Sequence, residues 1–285
     1  MKTPTSTHRL SIVLTVFAAI FLLSGCATYR QLELKGANLA FSGEQEKQLG
    51  DEYAAEITKQ VPNVDDATLN KWVNDMGQKL VQNSPPCDQT FVFSVADTEA
   101  VNAFAIPGGH CFVNIGLLRI AENEAEVAAV VGHEINHVTQ RHGMRSIERQ
   151  TGMEYMAQAL SGSQGAATVV NLVKQSGGLL AMRGFSRSDE READHYGVEA
   201  MYKAGFDPRM AVTFFEKLSA GEQGGMSKFA YLLATHPTTP ERIQNIKDQI
   251  ATYDLNKPMV VNSPEFLEVK RIVAARPIGK TVMPE

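Results

Sequence analysis

The stretch VVGHEINHVTQRH, Val130 to His142, places two histidines and a glutamate within about one helical turn of an otherwise apolar run. Burying such a cluster without partners costs stability. Either it sits on the surface and is incidental, or something binds it. His133, Glu134 and His137 form the pattern HExxH. A spacing of four stacks the two imidazoles on one helical face, one turn apart. Both can then reach one Zn²⁺ at about 2.0–2.1 Å. Glu134, one position along, swings its carboxylate to the side of the metal, where a water molecule needs a base. Val127, Val130, Val131, Ile135 and Val138 form the apolar side of a helix expected from about Glu122 to Gly143.

A site of this kind needs a third protein ligand and leaves a fourth position for water. The stretch SRSDEREADHYG, Ser186 to Gly197, offers Glu190, Glu192 and Asp194 on a second helix, expected over about Arg187 to Lys203 and ended by Gly205. Glu190 and Asp194 stand four apart and share a face; Glu192 points away from them. On charge alone the same stretch reads as a solvated helix face.

The surrounding elements suggest an α+β fold, mostly helical, with a small sheet. Ser42 and Gln45 have capping-box spacing at the head of a helix to about Gln60. A second helix is expected over Asp66 to Gln82, with Leu69, Trp72, Val73, Met76 and Leu80 on one stripe. Thr90 to Asp97 is aromatic and β-branched, hence a strand. Two strand-like runs between Val101 and Leu118 flank PGGH, a hairpin signal. Residues 161–180, rich in Gly, Ser and Ala, read as a helix hairpin or a mobile loop. Asp207 and Pro208 open a helix to about Leu218, and GEQGGMSK, residues 221–228, is a flexible loop. Thr239 and Pro240 open a helix to about Tyr253, and Ser263 and Pro264 a last short one. The expected domain covers residues 42–255, with 256–285 as a C-terminal extension.

Of 285 residues, 44% are apolar and 21% charged, enough for one core of good size or two small ones. The chain is not basic, and nothing in it points to nucleic acid. Residues 1–25 hold Lys2, His8 and Arg9, then the apolar run LSIVLTVFAAIFLL, then small residues. That is the order of a secretory signal, too short for a comfortable membrane span; an uncleaved anchor helix is the alternative. LSGC, Leu23 to Cys26, resembles a bacterial lipobox. It implies a lipoprotein signal peptide over 1–25, lipidation of Cys26, a tether over 26–41 and membrane attachment through acyl chains. Ala27 and Thr28 supply no aspartate after the cysteine, which favours the outer membrane, facing the periplasm. Cys87 and Cys111 then form an even pair in an oxidising compartment. A disulfide between them is one expectation and two buried thiols the other.

HEINH, SRSDEREADHYG and THP in that order, with NAFAIPGG (Asn102 to Gly109) ahead of them, resemble the HtpX, Oma and BepA/LoiP-type zinc metalloendopeptidases. These are gluzincins related to the CAAX prenyl endopeptidases, and the likeness runs over about residues 42–250. With a lipobox and no later apolar run of spanning length, the chain is most similar to the LoiP-type periplasmic lipoproteins. The resemblance implies a zincin-like fold holding one zinc on His133, His137 and Glu190, with Glu134 as catalytic base. Asp194 would support a ligand or handle protons. His195 stands where many relatives have arginine, and no role follows for it. His236, in LATHPTTPER, would be a fourth, inhibitory ligand; otherwise it caps a turn before Pro237. Asn102, Ala103, Phe104 and Ala105 would pair with an extended substrate backbone. His110 and His142 read as structural. The implied function is endopeptidase action on unfolded or misassembled envelope proteins. The competing reading is a periplasmic chaperone or assembly factor whose zinc site is silent, gated by residues 161–180 and 221–225. The sequence carries no sign of the acidic pocket an aminopeptidase needs, and none of an oligomeric state.

Overall fold

A computed structural model of the chain describes residues 42–147, 185–223 and 229–280. The signal-like segment, Cys26, the tether over 26–41, the segment 161–180 and residues 224 and 225 lie outside the described residues. Helix α1 (Gly43–Gln60) is followed by α2 (Ala67–Val81), which Asp66 caps by accepting from the amides of Thr68 and Leu69. Three strands follow, β1 (Val92–Ala96), β2 (Ala103–Ile106) and β3 (His110–Asn114), then the short α3 (Ile115–Ile120). Next come α4 (Glu124–Thr139), α5 (Arg187–Lys203), α6 (Arg209–Gln223), α7 (Ala230–Thr235), α8 (Pro240–Ile250) and α9 (Pro264–Ala275). The mostly helical fold with a small sheet is the one expected.

The sheet has the order β1-β3-β2, with β3 parallel to β1 and antiparallel to β2. The β2–β3 hairpin turns at Gly108 and Gly109, whose φ values of 87° and 93° lie in the left-handed region that glycine tolerates. A Cβ on Gly109 would also stand 2.5 Å from the Thr90 carbonyl oxygen. The outer edge of β1 is covered, since Val64 N–H donates to the Val95 carbonyl at 2.7 Å and Asp97 N–H to that of Pro62 at 2.9 Å. β2 is the opposite edge.

Helix α4 is the centre of the molecule. Every residue from Glu124 to Val138 is buried, the mark of a helix surrounded by protein. Its neighbours are α2, α5, α6 and the strands β2 and β3. Asn123 caps it by accepting from the Glu126 amide at 2.9 Å. It ends at Thr139, earlier than the expected Gly143, because Arg141 takes a left-handed φ of 54°. Residues 142–147 then resume a helical course in a new direction.

Residues 256–280 fall in the same compact unit as residues 43–255. Phe266, Val269 and Val273 of α9 are buried, and the Phe266 ring lies 5.4 Å from that of Trp72. Glu124 fastens the arrangement: one carboxylate oxygen accepts from Trp72 Nε1 at 3.1 Å, the other from the Ser263 amide at 2.7 Å. Cys87 and Cys111 are both free, so the suggested disulfide is not formed. Cys111 is buried in the central strand and Cys87 packs against the same core, and burial pushes both thiols up in pKa. Among the described residues no helix is long and apolar enough to cross a membrane.

Candidate metal centre

Two glycines bring the key helices together. A Cβ on Gly197 of α5 would lie 3.0 Å from the His133 amide nitrogen, and one on Gly132 of α4 would lie 3.2 Å from the Gly197 carbonyl oxygen. Only bare backbone allows this approach, and it sets the acids of α5 against the histidines of α4. Ser186 starts α5 with a capping box: its hydroxyl accepts from the Asp189 amide at 3.2 Å, and Asp189 accepts from the Ser186 amide at 3.0 Å. Glu190 therefore lies in the first turn of a doubly capped helix.

The Nε2 atoms of His133 and His137 face each other at 2.9 Å. Glu190 stands 3.6 Å from both, Oε2 toward His133 and Oε1 toward His137. His236, which closes α7, brings Nδ1 to 3.3 Å from His133 Nε2 and 2.9 Å from Glu190 Oε1. One ligand atom from each of the four residues lies within 4.8 Å of every other, and all four residues are buried. Three imidazole nitrogens and a carboxylate oxygen, all aimed at one point, are donors that zinc takes in tetrahedral sites. Protons alone satisfy such a convergence poorly, because facing lone pairs repel. The residues present fit a zinc ion.

Each donor is held from behind. His133 Nδ1 lies 2.9 Å from Asp194 Oδ1. Arg242 of α8 grips Asp194 through Nε and Nη2, both at 2.7 Å, and touches Glu190 Oε2 with Nη1 at 2.7 Å. The same Nη1 donates to the Pro237 carbonyl at 2.8 Å, which ties the segment after His236 to the site. The His137 ring stacks on Phe185 at 3.8 Å between centroids, and its Nδ1 lies 2.8 Å from Nδ1 of His142.

Glu134 points to the same centre. Its Oε2 accepts from the Ala105 amide of β2 at 3.3 Å, and its Oε1 lies 3.3 Å from His236 Nε2. Burial raises its pKa against the opposing pull of His236 and His133. For Asp194 burial also raises the pKa, but the hydrogen bonds from Arg242 and His133 outweigh it and bring the group down to about 2. Glu190 is lowered in the same way, with His236 the main opponent of burial. Burial, with His133 and His236 beside it, holds His137 well below the usual histidine range, whereas Glu134 and Glu190 outweigh burial and raise His236. Val130, Phe214, Phe215, Leu218 and Leu232 form an apolar wall on one side of His133 and Glu134.

The sequence-derived residues thus divide clearly. His133, Glu134, His137, Glu190, Asp194 and His236 converge, and β2, with Ala103, Phe104 and Ala105, runs beside them. Asn102, just before that strand, is buried, and its carbonyl accepts from the Asn114 amide at 3.1 Å. His195 is exposed on α5, away from the cluster; its carbonyl accepts from Gln249 Nε2 at 2.8 Å and its ring meets that of Tyr196. His110 pairs with Asp51 at 2.8 Å, away from the cluster. Arg242, Phe185 and the contact of His142 with His137 were not anticipated. Arg242 sits only six residues beyond His236, in the same quoted stretch, and its place in the first turn of α8 was the available signal.

An HExxH helix, a carboxylate delivered by a second helix and a short edge strand alongside define the zincin-like metallopeptidases. Within that class the chain belongs to peptidase family M48, whose model matches residues 67–250. Over 232 residues it is 32% identical to the beta-barrel assembly-enhancing protease of Escherichia coli, covering 78% of this chain and 46% of that protein. It is 36% identical over 148 residues to the mitochondrial metalloendopeptidase OMA1 of Arabidopsis thaliana, covering 52% of this chain and 29% of the relative. Against the OMA1 of Schizosaccharomyces pombe the identity is 30% over 190 residues, 67% of this chain and 55% of the relative. The chain spans about half the length of the curated relatives it matches.

Proposed function

We propose that this protein is a zinc-dependent endopeptidase, with His133, His137 and Glu190 as ligands and Glu134 as catalytic base. The observation that carries the reading is the convergence of those three donors with Glu134 beside an edge strand. His133, His137 and Glu190 would hold the zinc, whose Lewis acidity would activate a water molecule and a peptide carbonyl there. Glu134 removes the proton from the attacking water and returns it to the leaving amine. Its burial raises its proton affinity toward that of a useful base. Asp194 fixes the ring of His133, and Arg242 fixes Asp194.

The Ala105 amide points off the sheet toward Glu134, so the outer edge of β2 faces the site. The amide of Ala103, two residues earlier, shares that direction by the alternation of a strand. Extended polypeptide can add to this edge, which selects locally unfolded chain over side-chain identity. Unfolded or misassembled envelope proteins are accordingly the proposed substrates. The name of the Escherichia coli relative supports an envelope role, and the LSGC stretch supports anchoring through Cys26, on the periplasmic face of the outer membrane.

His236 lies within 3.3 Å of His133, Glu134 and Glu190, against both the ligand set and the proposed base. It is proposed as a fourth ligand of a resting, closed site. The same closure favours the second reading, a periplasmic binding or assembly factor that rarely cleaves. The zinc-loaded protein and its Glu134→Gln variant, incubated with unfolded casein, separate the two. The protease reading expects internal cleavage that drops about a hundredfold or more in the variant. Equal cleavage by both contradicts it. Suppressed aggregation without cleavage by either supports the second reading.

A further inference from the structure

We infer that His142 and Glu192 are positioning residues that fix the tautomer of His137, leaving its Nε2 lone pair free for a metal. The inference rests on the zinc reading above. The Nδ1 atoms of His137 and His142 are 2.8 Å apart, close enough to share one proton. A neutral imidazole carries a proton on one nitrogen only. Were the shared proton to belong to His142, neutral His137 would carry its own on Nε2 and could not ligate through that atom.

Glu192 decides between the two arrangements. Its Oε2 lies 2.9 Å from His142 Nε2, and an ionised carboxylate only accepts. Nε2 of His142 must therefore bear the proton, which leaves its Nδ1 as an acceptor. His137 then donates from Nδ1, and its Nε2 turns a lone pair toward His133, Glu190 and His236. Arg145 Nη2 donates to the same Glu192 oxygen at 3.1 Å, so that oxygen already serves as an acceptor. His142 is 0% exposed, so water cannot take over its part.

The backbone supports this assignment. Along an unbroken helix, His142 would lie about 140° around from His137 and could not meet it. The left-handed Arg141, a conformation disfavoured for a residue with a side chain, breaks α4 and returns His142 to a centroid distance of 4.8 Å. Three acids of α5 then divide the work: Glu190 faces the cluster, Asp194 holds His133 directly, and Glu192 holds His137 through His142.

Zinc affinity, measured by chelator competition on the metal-free full chain, tests the proposal with wild type, His142→Leu, His142→Asn and Glu192→Gln. The wild type should take one zinc per chain. His142→Leu should bind about ten- to a hundredfold more weakly. His142→Asn, whose side-chain oxygen can accept where Nδ1 did, should stay within a few-fold of wild type. Glu192→Gln, at a partly exposed position that does not threaten folding, should lose affinity because an amide no longer dictates one tautomer. Wild-type affinity in His142→Leu or Glu192→Gln overturns the proposal, as does a loss in His142→Asn equal to that in His142→Leu. If His142→Leu does not fold, Glu192→Gln decides. A wild type that binds no zinc removes the underlying metal reading, and this inference with it.

Discussion

Arg242 spans two of the acids that serve the histidines: two contacts of 2.7 Å to Asp194 and one of 2.7 Å to Glu190. One guanidinium from α8 thus fixes two carboxylates of α5 and, through Asp194, the ring of His133. Both carboxylates are buried. Truncating the Arg242 side chain leaves them without their cation, so Arg242→Ala should cost about 3–5 kcal/mol of unfolding free energy. Arg242→Lys should recover only part of it, since an ammonium cannot reproduce the paired contacts. Urea unfolding of the metal-free proteins measures this, and a loss below about 1 kcal/mol, typical of an exposed pair, would contradict the burial argument.

Asp194 gives the site a signature in acid. Its pKa falls from 3.8 to about 2 on folding. A depressed folded value means that the stabilisation is fully present above about pH 4 and is lost as pH falls through about 2. Its size is on the order of 2–3 kcal/mol. Between pH 5 and 2 the stability of metal-free wild type should therefore fall more steeply than that of Asp194→Asn. Parallel pH profiles would show that the carboxylate gains nothing from Arg242 and His133.

The approach of α4 to α5 depends on Gly197, where an added Cβ would stand 3.0 Å from the His133 amide nitrogen and 3.1 Å from the Gly132 carbonyl carbon. Backbone atoms cannot yield as a flexible side chain can. Gly197→Ala should cost about 1–3 kcal/mol through overpacking. It should also weaken zinc binding, because the acids of α5 move away from the histidines. A variant with unchanged melting temperature and zinc affinity would show that the helices have slack here.

His236 is expected to restrain the site and not to build it. His236→Ala should keep its zinc on the remaining three ligands and cleave unfolded substrate faster than wild type. Loss of zinc would make His236 a structural ligand, and slower cleavage with zinc retained would give it a part in the chemistry.

Local spacing made the centre of the site legible in the sequence. A spacing of four on one helix states a geometry by itself, which is why His133, His137, Glu190 and Asp194 could be paired before any fold was known. The hairpin was legible for a similar reason, since Gly108 and Gly109 declare a turn. Arg242 was hidden because its partner lies 48 positions earlier, and no periodic pattern links the two. His142 was hidden by the break at Arg141, a left-handed residue that nothing in its side chain announces. What the C-terminal helix packs against was not legible locally, because its partners, among them Trp72 and Glu124, lie far back in the chain. The two cysteines left a disulfide or two buried thiols open, and the fold keeps both thiols free.

The central claim is that His133, His137 and Glu190, drawn from two helices, grip one divalent ion. Elemental analysis of the purified chain, loaded with excess zinc and dialysed free of unbound metal, in parallel with Glu190→Ala, tests it most directly. The account predicts one zinc per chain in the wild type and a large loss in the variant. A wild type that stays metal-free, or a Glu190→Ala protein that retains zinc just as firmly, would contradict it.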